Sequence, residues 1–472
     1  MKPRFAKVDR AVPCSILFRR GRRPPFPNIA RGAADPPCVV TLILVIASMC
    51  LARTAPAITL DETLKATLDN NPAIQQAKLK LEAAAGRRLV FRSVIWPNLK
   101  MNVPAGIQGG DRAGSTSTKL FGFVRGALTQ PLIDVSIPPS LRRGDIEVLI
   151  AEQQLNLAVE EQLHTARVAF YSALYQRQLR SLRDKQRLRL DENVASQSDR
   201  YRAGLVDRSA FTTATVEARG LDPMVEDAQR AYSAAQLQLG QAMAIDLKSE
   251  APLPEPEGEL TFATVDIDLN KEMNTALEQR TDIKLARLLV RAANEDERII
   301  AAGYYPSATG SFSGDYIPVT GIHREGSTSR NQDFVGSEIR EGAAYTWQVI
   351  DNGKVGGAVL KARTAKEINE IELKKLETNV GQELSRIRNQ LNGIAERHNA
   401  LISGASNAEQ AALAVQQNLG SGLASQLEYR VAESSFLKTQ SGLLEASYLQ
   451  NVSLADWDRA TGRYFQFSED MR

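Results

Sequence analysis

Thr59-Leu-Asp-Glu-Thr-Leu-Lys-Ala-Thr-Leu68, followed by Asn70-Asn-Pro-Ala-Ile74, is a stretch that the chain contains twice. It returns without gaps as Asp268-Leu-Asn-Lys-Glu-Met-Asn-Thr-Ala-Leu277, followed by Gln279-Arg-Thr-Asp-Ile283. Leu60 matches Leu269, Ile74 matches Ile283, Ala83-Ala84 matches Ala292-Ala293, and the same register brings Pro97 onto Pro306. A spacing kept from a helix start through to its breaker marks an internal repeat, which decides the fold before any local reading.

Further along, Leu132-Ile133-Asp134 corresponds to Val349-Ile350-Asp351. Arg202-Ala203-Gly204 with Ser209 corresponds to Asn418-Leu419-Gly420 with Ser425. The expected organisation is a first repeat over 58–250, a Pro- and acid-rich linker over 251–267 and a second repeat over 268–472.

Each repeat opens with a short helix and a longer one, rich in Ala, Leu, Lys and Glu, which ends before Pro97 or Pro306. The period then changes from helical to two. Leu99, Met101, Val103, Ala105 and Ile107 alternate with polar or turn residues, and Ala308, Gly310, Phe312, Gly314 and Tyr316 do the same in the second repeat. The strands predict one β-hairpin per repeat, over 98–130 and 307–350, with the second strand of the first near 119–130.

Strands of about ten residues with this alternation fit a tilted membrane barrel. Trp96, Tyr304, Tyr305, Tyr345 and Trp347 sit at the strand ends nearest the helices, where an interfacial aromatic belt belongs. A soluble hairpin with aromatic core residues would show the same pattern.

Two long helical tracts free of proline follow, about 140–198 and 353–417, each beginning a helical hairpin, over 140–250 and 353–462. Leu373, Leu376, Val380, Leu384, Ile387, Leu391, Ile394, His398 and Leu401 recur at steps of three and four, a coiled-coil seam. Each tract ends at a glycine. Gly204 and Gly420 are expected to supply the left-handed helix end, and Ser209 and Ser425 the cap of the returning helix.

Ahead of the repeats, the apolar stretch 38–52 follows a basic region and precedes Ala55-Pro56-Ala57, the layout of a secretory signal cleaved after Ala57. Residues 1–57 are read as that signal; a lipid anchor at Cys50 is the alternative, disfavoured by Met49 before it. The leader holds ten of the 58 Lys/Arg and two of the 55 Asp/Glu, so the mature chain carries about −5 rather than +3. No basic excess remains to recruit nucleic acid. Cys14, Cys38 and Cys50 all lie in the leader, so the mature protein relies on packing rather than disulfides.

Catalytic chemistry has no foothold in these residues. Glu160-Glu161 and Glu295 with Glu297 read as solvated helix faces, and His398 on the seam has no companions with which to bind a metal. No cofactor is expected.

Four strands cannot close a barrel, so a membrane reading requires several chains. The duplicated Leu-Asp-Glu and Asn-Asn-Pro-Ala-Ile opening, the strand exits Gln130-Pro-Leu-Ile-Asp134 and Trp347-Gln-Val-Ile-Asp-Asn-Gly-Lys354, and the paired glycine tips resemble the TolC-like outer-membrane efflux protein family. Pro138-Pro139 departs from the Gly-rich turn of the second repeat.

The resemblance implies a mainly α protein with membrane β: internally duplicated coiled-coil hairpins, four strands per chain, and a homotrimer whose 12-stranded β-barrel continues as a periplasmic α-helical barrel. It implies a passive outer-membrane duct in contact with lipid, served by a periplasmic adaptor and an inner-membrane pump. Gly204, Leu205, Ser209, Gly420 and Ser425 would fall in the adaptor-docking aperture. The outlet of a type I protein-secretion system and a periplasmic coiled-coil scaffold without a pore stay open as alternatives.

Overall fold

The computed structural model describes residues 57–112, 115–245, 253–322 and 332–464. The expected leader, apart from Ala57, lies outside them, as do the side chains of 108–121 and 317–336.

Helix α1 (Leu60–Asn70) starts at a capping box: the Thr59 hydroxyl accepts from the Glu62 N–H, and the Glu62 carboxylate accepts from the Thr59 N–H. Helix α2 (Pro72–Arg92) starts where Asn71 Oδ1 accepts from the Ala73 N–H, with Pro72 in the first turn. Their counterparts are α6 (Leu269–Gln279) and α7 (Thr281–Ala301), of the same 11 and 21 residues. A three-residue 3-10 turn follows each pair, Ser93–Ile95 and Ala302–Tyr304.

The strands of the first repeat are shorter than the alternation predicts. Strand β2 (Asn98–Asn102) stops before Val103-Pro104, and β3 (Ala105–Arg112) resumes after it. The return strand divides at Phe123 into β4 (Ser115–Gly122) and β5 (Val124–Ile133). Pro104 has no N–H for a ladder; its carbonyl accepts from the Phe123 N–H, so both breaks fall at one level of the hairpin. In the second repeat β7 (Ser307–Ile322) and β8 (Gln332–Thr346) run unbroken. The antiparallel sheet has the order β2-β5-β7-β8, with β3 and β4 paired beyond it.

The long helices are α3 (Ile137–Arg202, 66 residues), which exceeds the expected tract at both ends, and α8 (Lys354–Ser421, 68 residues), which exceeds it at the C-terminal end. At 1.5 Å per residue each extends on the order of 100 Å. Pro138 and Pro139 enter the first turn of α3, where an N–H has no helical partner to lose. Asp134 and Asp351 make the same turn into the helices, accepting from the Ser136 and Gly353 N–H groups respectively.

The returning helices differ between repeats. The first is divided at Leu221 into α4 (Arg208–Gly220) and α5 (Asp222–Ala242), with Pro223 in the first turn of α5, whereas α9 (Gln426–Thr461) is continuous.

These elements pack in the same sense at three levels. The sheet runs β2-β5-β7-β8; the helices next to it run α2-α3-α7-α8; the helices toward the tips run α4/α5-α3-α9-α8. Each level is an open arc whose first edge belongs to the first repeat and whose last edge belongs to the second.

The buried seam of α8 comprises Val380, Leu384, Ile387, Leu391 and Ile394, packed with Ile283, Ala276 and Trp457. A second core joins Phe170 and Leu174 of α3 to Leu239 and Met243. Between the repeats the linker is strapped down by side-chain amides: Gln450 bonds the Ala263 N–H and carbonyl, and Asn451 donates to the Thr261 carbonyl. A short parallel pair, β1 (Ala57–Ile58) with β6 (Glu255–Pro256), ties the chain start to the same belt.

Candidate functional site

The two hairpin tips share a geometry that sequence alignment misplaces by two residues. At the first tip Gly204 has φ +72°, and the Gly204 and Leu205 N–H groups bond the Tyr201 and Arg200 carbonyls. At the second it is Gly422, not Gly420, that is left-handed, with φ +78°, and the Gly422 and Leu423 N–H groups bond the Leu419 and Asn418 carbonyls. Both are glycine-terminated helix ends of the Schellman kind. Gly420 remains within α8.

The cap of the first returning helix is Asp207, whose carboxylate accepts from the Ala210 N–H; Ser209 lies inside α4. Ser425 caps α9 as expected, in a capping box with Glu428. The equivalent segments are therefore Gly204-Leu-Val-Asp207 and Gly422-Leu-Ala-Ser425. Leu205 and Leu423 project from the tips, 71% and 80% exposed. Leu423 and Asp207 were missed by counting glycines, although the Gly-Leu pair at both tips carried the signal.

The tips touch each other through Arg200, whose Nη1 donates to the Leu419 carbonyl at the end of α8. The guanidinium adds a second donor to a carbonyl that already accepts from the Gly422 N–H, and its charge complements the helix dipole. Behind it, Leu190, Ala218, Leu221, Leu419 and Tyr429 form a core that joins both repeats. Burial, followed by the Glu433 carboxylate, pushes the Tyr429 hydroxyl up to about 12.

At the opposite end, the sheet has two chemically distinct faces. Its register aligns Leu99 with Leu128 and Phe312, and Met101 with Gly126 and Gly314. Tyr345 and Ile339 of β8 fall on the same side, with Glu341 as the charged exception. The other face carries Asn98, Lys100, Arg125, Asp315, Glu338 and Arg340. There Arg125 Nε meets Asp315 Oδ1 at 2.7 Å, and Arg340 forks onto Glu338.

Trp96, Tyr304, Tyr305, Tyr345 and Trp347 all lie at the helix-proximal margin of the sheet, between 51% and 70% exposed. Trp347 Nε1 donates to the Tyr304 carbonyl at 3.3 Å, tying the end of β8 to the 3-10 turn that precedes β7.

His398 stacks on Phe262 of the linker at 3.6 Å and 3°, and burial holds its imidazole below the usual histidine range. Among the described residues no group of three or more His, Cys, Asp and Glu is placed to hold a metal, and no helix is long and apolar enough to cross a membrane.

Comparison with known proteins follows the same lines. No curated protein matches the chain by sequence. The fold is similar to that of the outer membrane protein VceC from Vibrio cholerae (16% identity, TM-score 0.71, 85% of this chain and 96% of that one). It is similar also to the CmeC outer membrane channel of Campylobacter jejuni (14%, 0.74, 85% and 85%) and to the MtrE outer membrane channel of Neisseria gonorrhoeae in its open state (17%, 0.68, 85% and 88%). Residues 273–463 match the outer membrane efflux protein family. The family match falls within the second repeat, and the chain as a whole shares the fold of these outer membrane channels.

Proposed function

We propose that three copies of this chain close into one tunnel, the outer-membrane exit duct of a tripartite efflux system, conducting small molecules passively while an inner-membrane pump supplies the energy. The observation that carries this reading is the repeated open arc. Each level ends in edges unpaired within the chain, and the helical edges next to the sheet expose apolar side chains: Leu79, Leu89 and Val90 on α2, and Leu360, Ile368 and Ile371 on α8. Open strand edges are not tolerated in hydrocarbon, so β2 and β8 need a second chain as much as the helices do.

Three chains supply twelve strands, and the polar face with Lys100, Arg125 and Arg340 turns to the lumen while Leu99, Leu128 and Phe312 meet lipid. Trp96, Tyr304, Tyr305, Tyr345 and Trp347 then form the periplasmic aromatic belt. The tips around Gly204-Leu205 and Gly422-Leu423-Ser425, with Ser209 and Gly420 just inside the adjoining helices, form the aperture and dock a periplasmic adaptor. Selectivity comes from tunnel width and lining charge.

Light scattering of the purified complex, corrected for bound detergent, tests the assembly. Three chains per particle is the expected mass; a stable monomer whose apolar edges remain open overturns the reading.

A further inference from the structure

Between α3, the α4–α5 break and α9, close to the tips, lies a cavity of about 560 Å³, a volume within the range of small-molecule sites. Its walls are apolar at Leu190, Leu221 and Leu437, and its mouth is formed by Val216 and Met224.

Of its two lining carboxylates, Glu217 is the one without a close cation. The Glu217 side chain is 9% exposed, and both its carboxylate oxygens are buried without a hydrogen-bond partner. Arg430 Nε stands 3.8 Å from Glu217 Oε1, too far to donate, and is itself largely exposed. The neighbouring carboxylate has a close counter-charge: Arg189 Nη2 lies 2.6 Å from Glu433 Oε1, an ion pair without hydrogen-bond alignment, with the guanidinium over the Phe436 ring. A buried carboxylate lacking donors is costly, and a mobile cation is the simplest group that relieves it.

The remaining lining cations sit away from it. Lys438 is eight residues along α9 from Arg430, roughly 12 Å at the helical rise, and Arg183 lies seven residues before Leu190 on α3. The cavity thus has a buried carboxylate with only a distant, exposed Arg430 beside it at the tip side, an apolar middle, and Lys438 and Arg183 at the far end.

We propose that this cavity binds an organic cation with an apolar body, the charge set against Glu217 and the body on Leu190, Leu221 and Leu437. Burial raises the Glu217 carboxyl above the usual glutamate range, with Arg430 opposing. Arg189 and Glu192 on α3 and Glu433 on α9 are the other charges around Tyr429 beside it. A bound cation therefore competes with a proton, and affinity falls as the pH drops.

The test is calorimetric titration of the purified full-length protein with tetraphenylphosphonium and with tetraphenylborate, two ions of one shape and opposite charge. The wild type is expected to take up the phosphonium at one saturable site per chain and to show no such site for the borate. Glu217→Gln should weaken phosphonium binding by about tenfold or more, and Met224→Trp should block the mouth, both with unchanged helicity and oligomeric mass. Equal phosphonium affinity in wild type and Glu217→Gln, saturable borate binding, or no saturable phosphonium binding, which would mean a cavity filled by water, each overturns the proposal. The titration does not depend on conduction, so it fails or stands separately from the proposed duct.

Discussion

At the residue scale the structure separates glycines that the sequence treats alike. Gly422 needs its left-handed conformation, and Arg200 Nη2 lies 3.5 Å from where a Cβ would stand, whereas nothing lies within 4 Å of a Cβ on Gly420. Gly422→Val should cost roughly 1–2 kcal/mol, while Gly420→Ala, in a helix interior, should be neutral or stabilise by up to about 1 kcal/mol. Thermal unfolding of the two variants checks this; equal destabilisation would return the helix end to Gly420. Glu217 supplies a second prediction at this scale. Its folded-state pKa is raised, so the stability it contributes is fully present below the ordinary glutamate value and is lost as pH rises through the raised value. Glu217→Gln should therefore remove that loss and be at least as stable as wild type at neutral pH. Thermal midpoints across the mildly acidic range read it out, and a variant less stable than wild type at neutral pH would mean that Glu217 is held by a partner.

At the element scale, the openings of the two repeats were legible because their helices keep the same lengths and apolar register, with start signals clearest in the first, Thr59 with Glu62 and Asn71 with Pro72, and because the seam runs through Val380, Leu384, Ile387 and Leu391. The breaks were not. Pro104 was counted as a residue of the alternation, although its missing N–H ends β2, and the division of the first returning helix at Leu221 before Pro223 has no counterpart in α9. The tips were displaced because Gly420-Ser421-Gly422 offers two glycines, and the choice rests on cap hydrogen bonds rather than composition. Edge pairing gives the prediction that belongs here. Leu89 and Leu360 are exposed and lie at the sheet-proximal ends of their helices, the C-terminal end of α2 and the N-terminal end of α8. The mature chain is expected to be free of cysteine, so Leu89→Cys with Leu360→Cys should give covalent dimers and trimers on mild oxidation, and the single variants should not. Intramolecular products alone would contradict the arc order.

At the scale of the whole molecule, the duplication explains why one order of elements holds in the sheet and at both helical levels: two equivalent halves lie side by side, leaving one edge of each unpaired. The polar sheet face, the exposed apolar edges and the aromatic margin become consistent when that arc is closed by copies of itself. Much of this was visible beforehand as a strand count too small for a barrel; the faces needed the register, because β5 pairs with β7 across the two repeats. The central claim is that closure makes a conduit, and planar-bilayer recording of the purified protein tests it most directly. Discrete, long-lived conductance steps are predicted. Properly folded trimers that insert and remain electrically silent, with the Arg200 contact between the tips removed by Arg200→Ala to relieve a closed aperture, would contradict it.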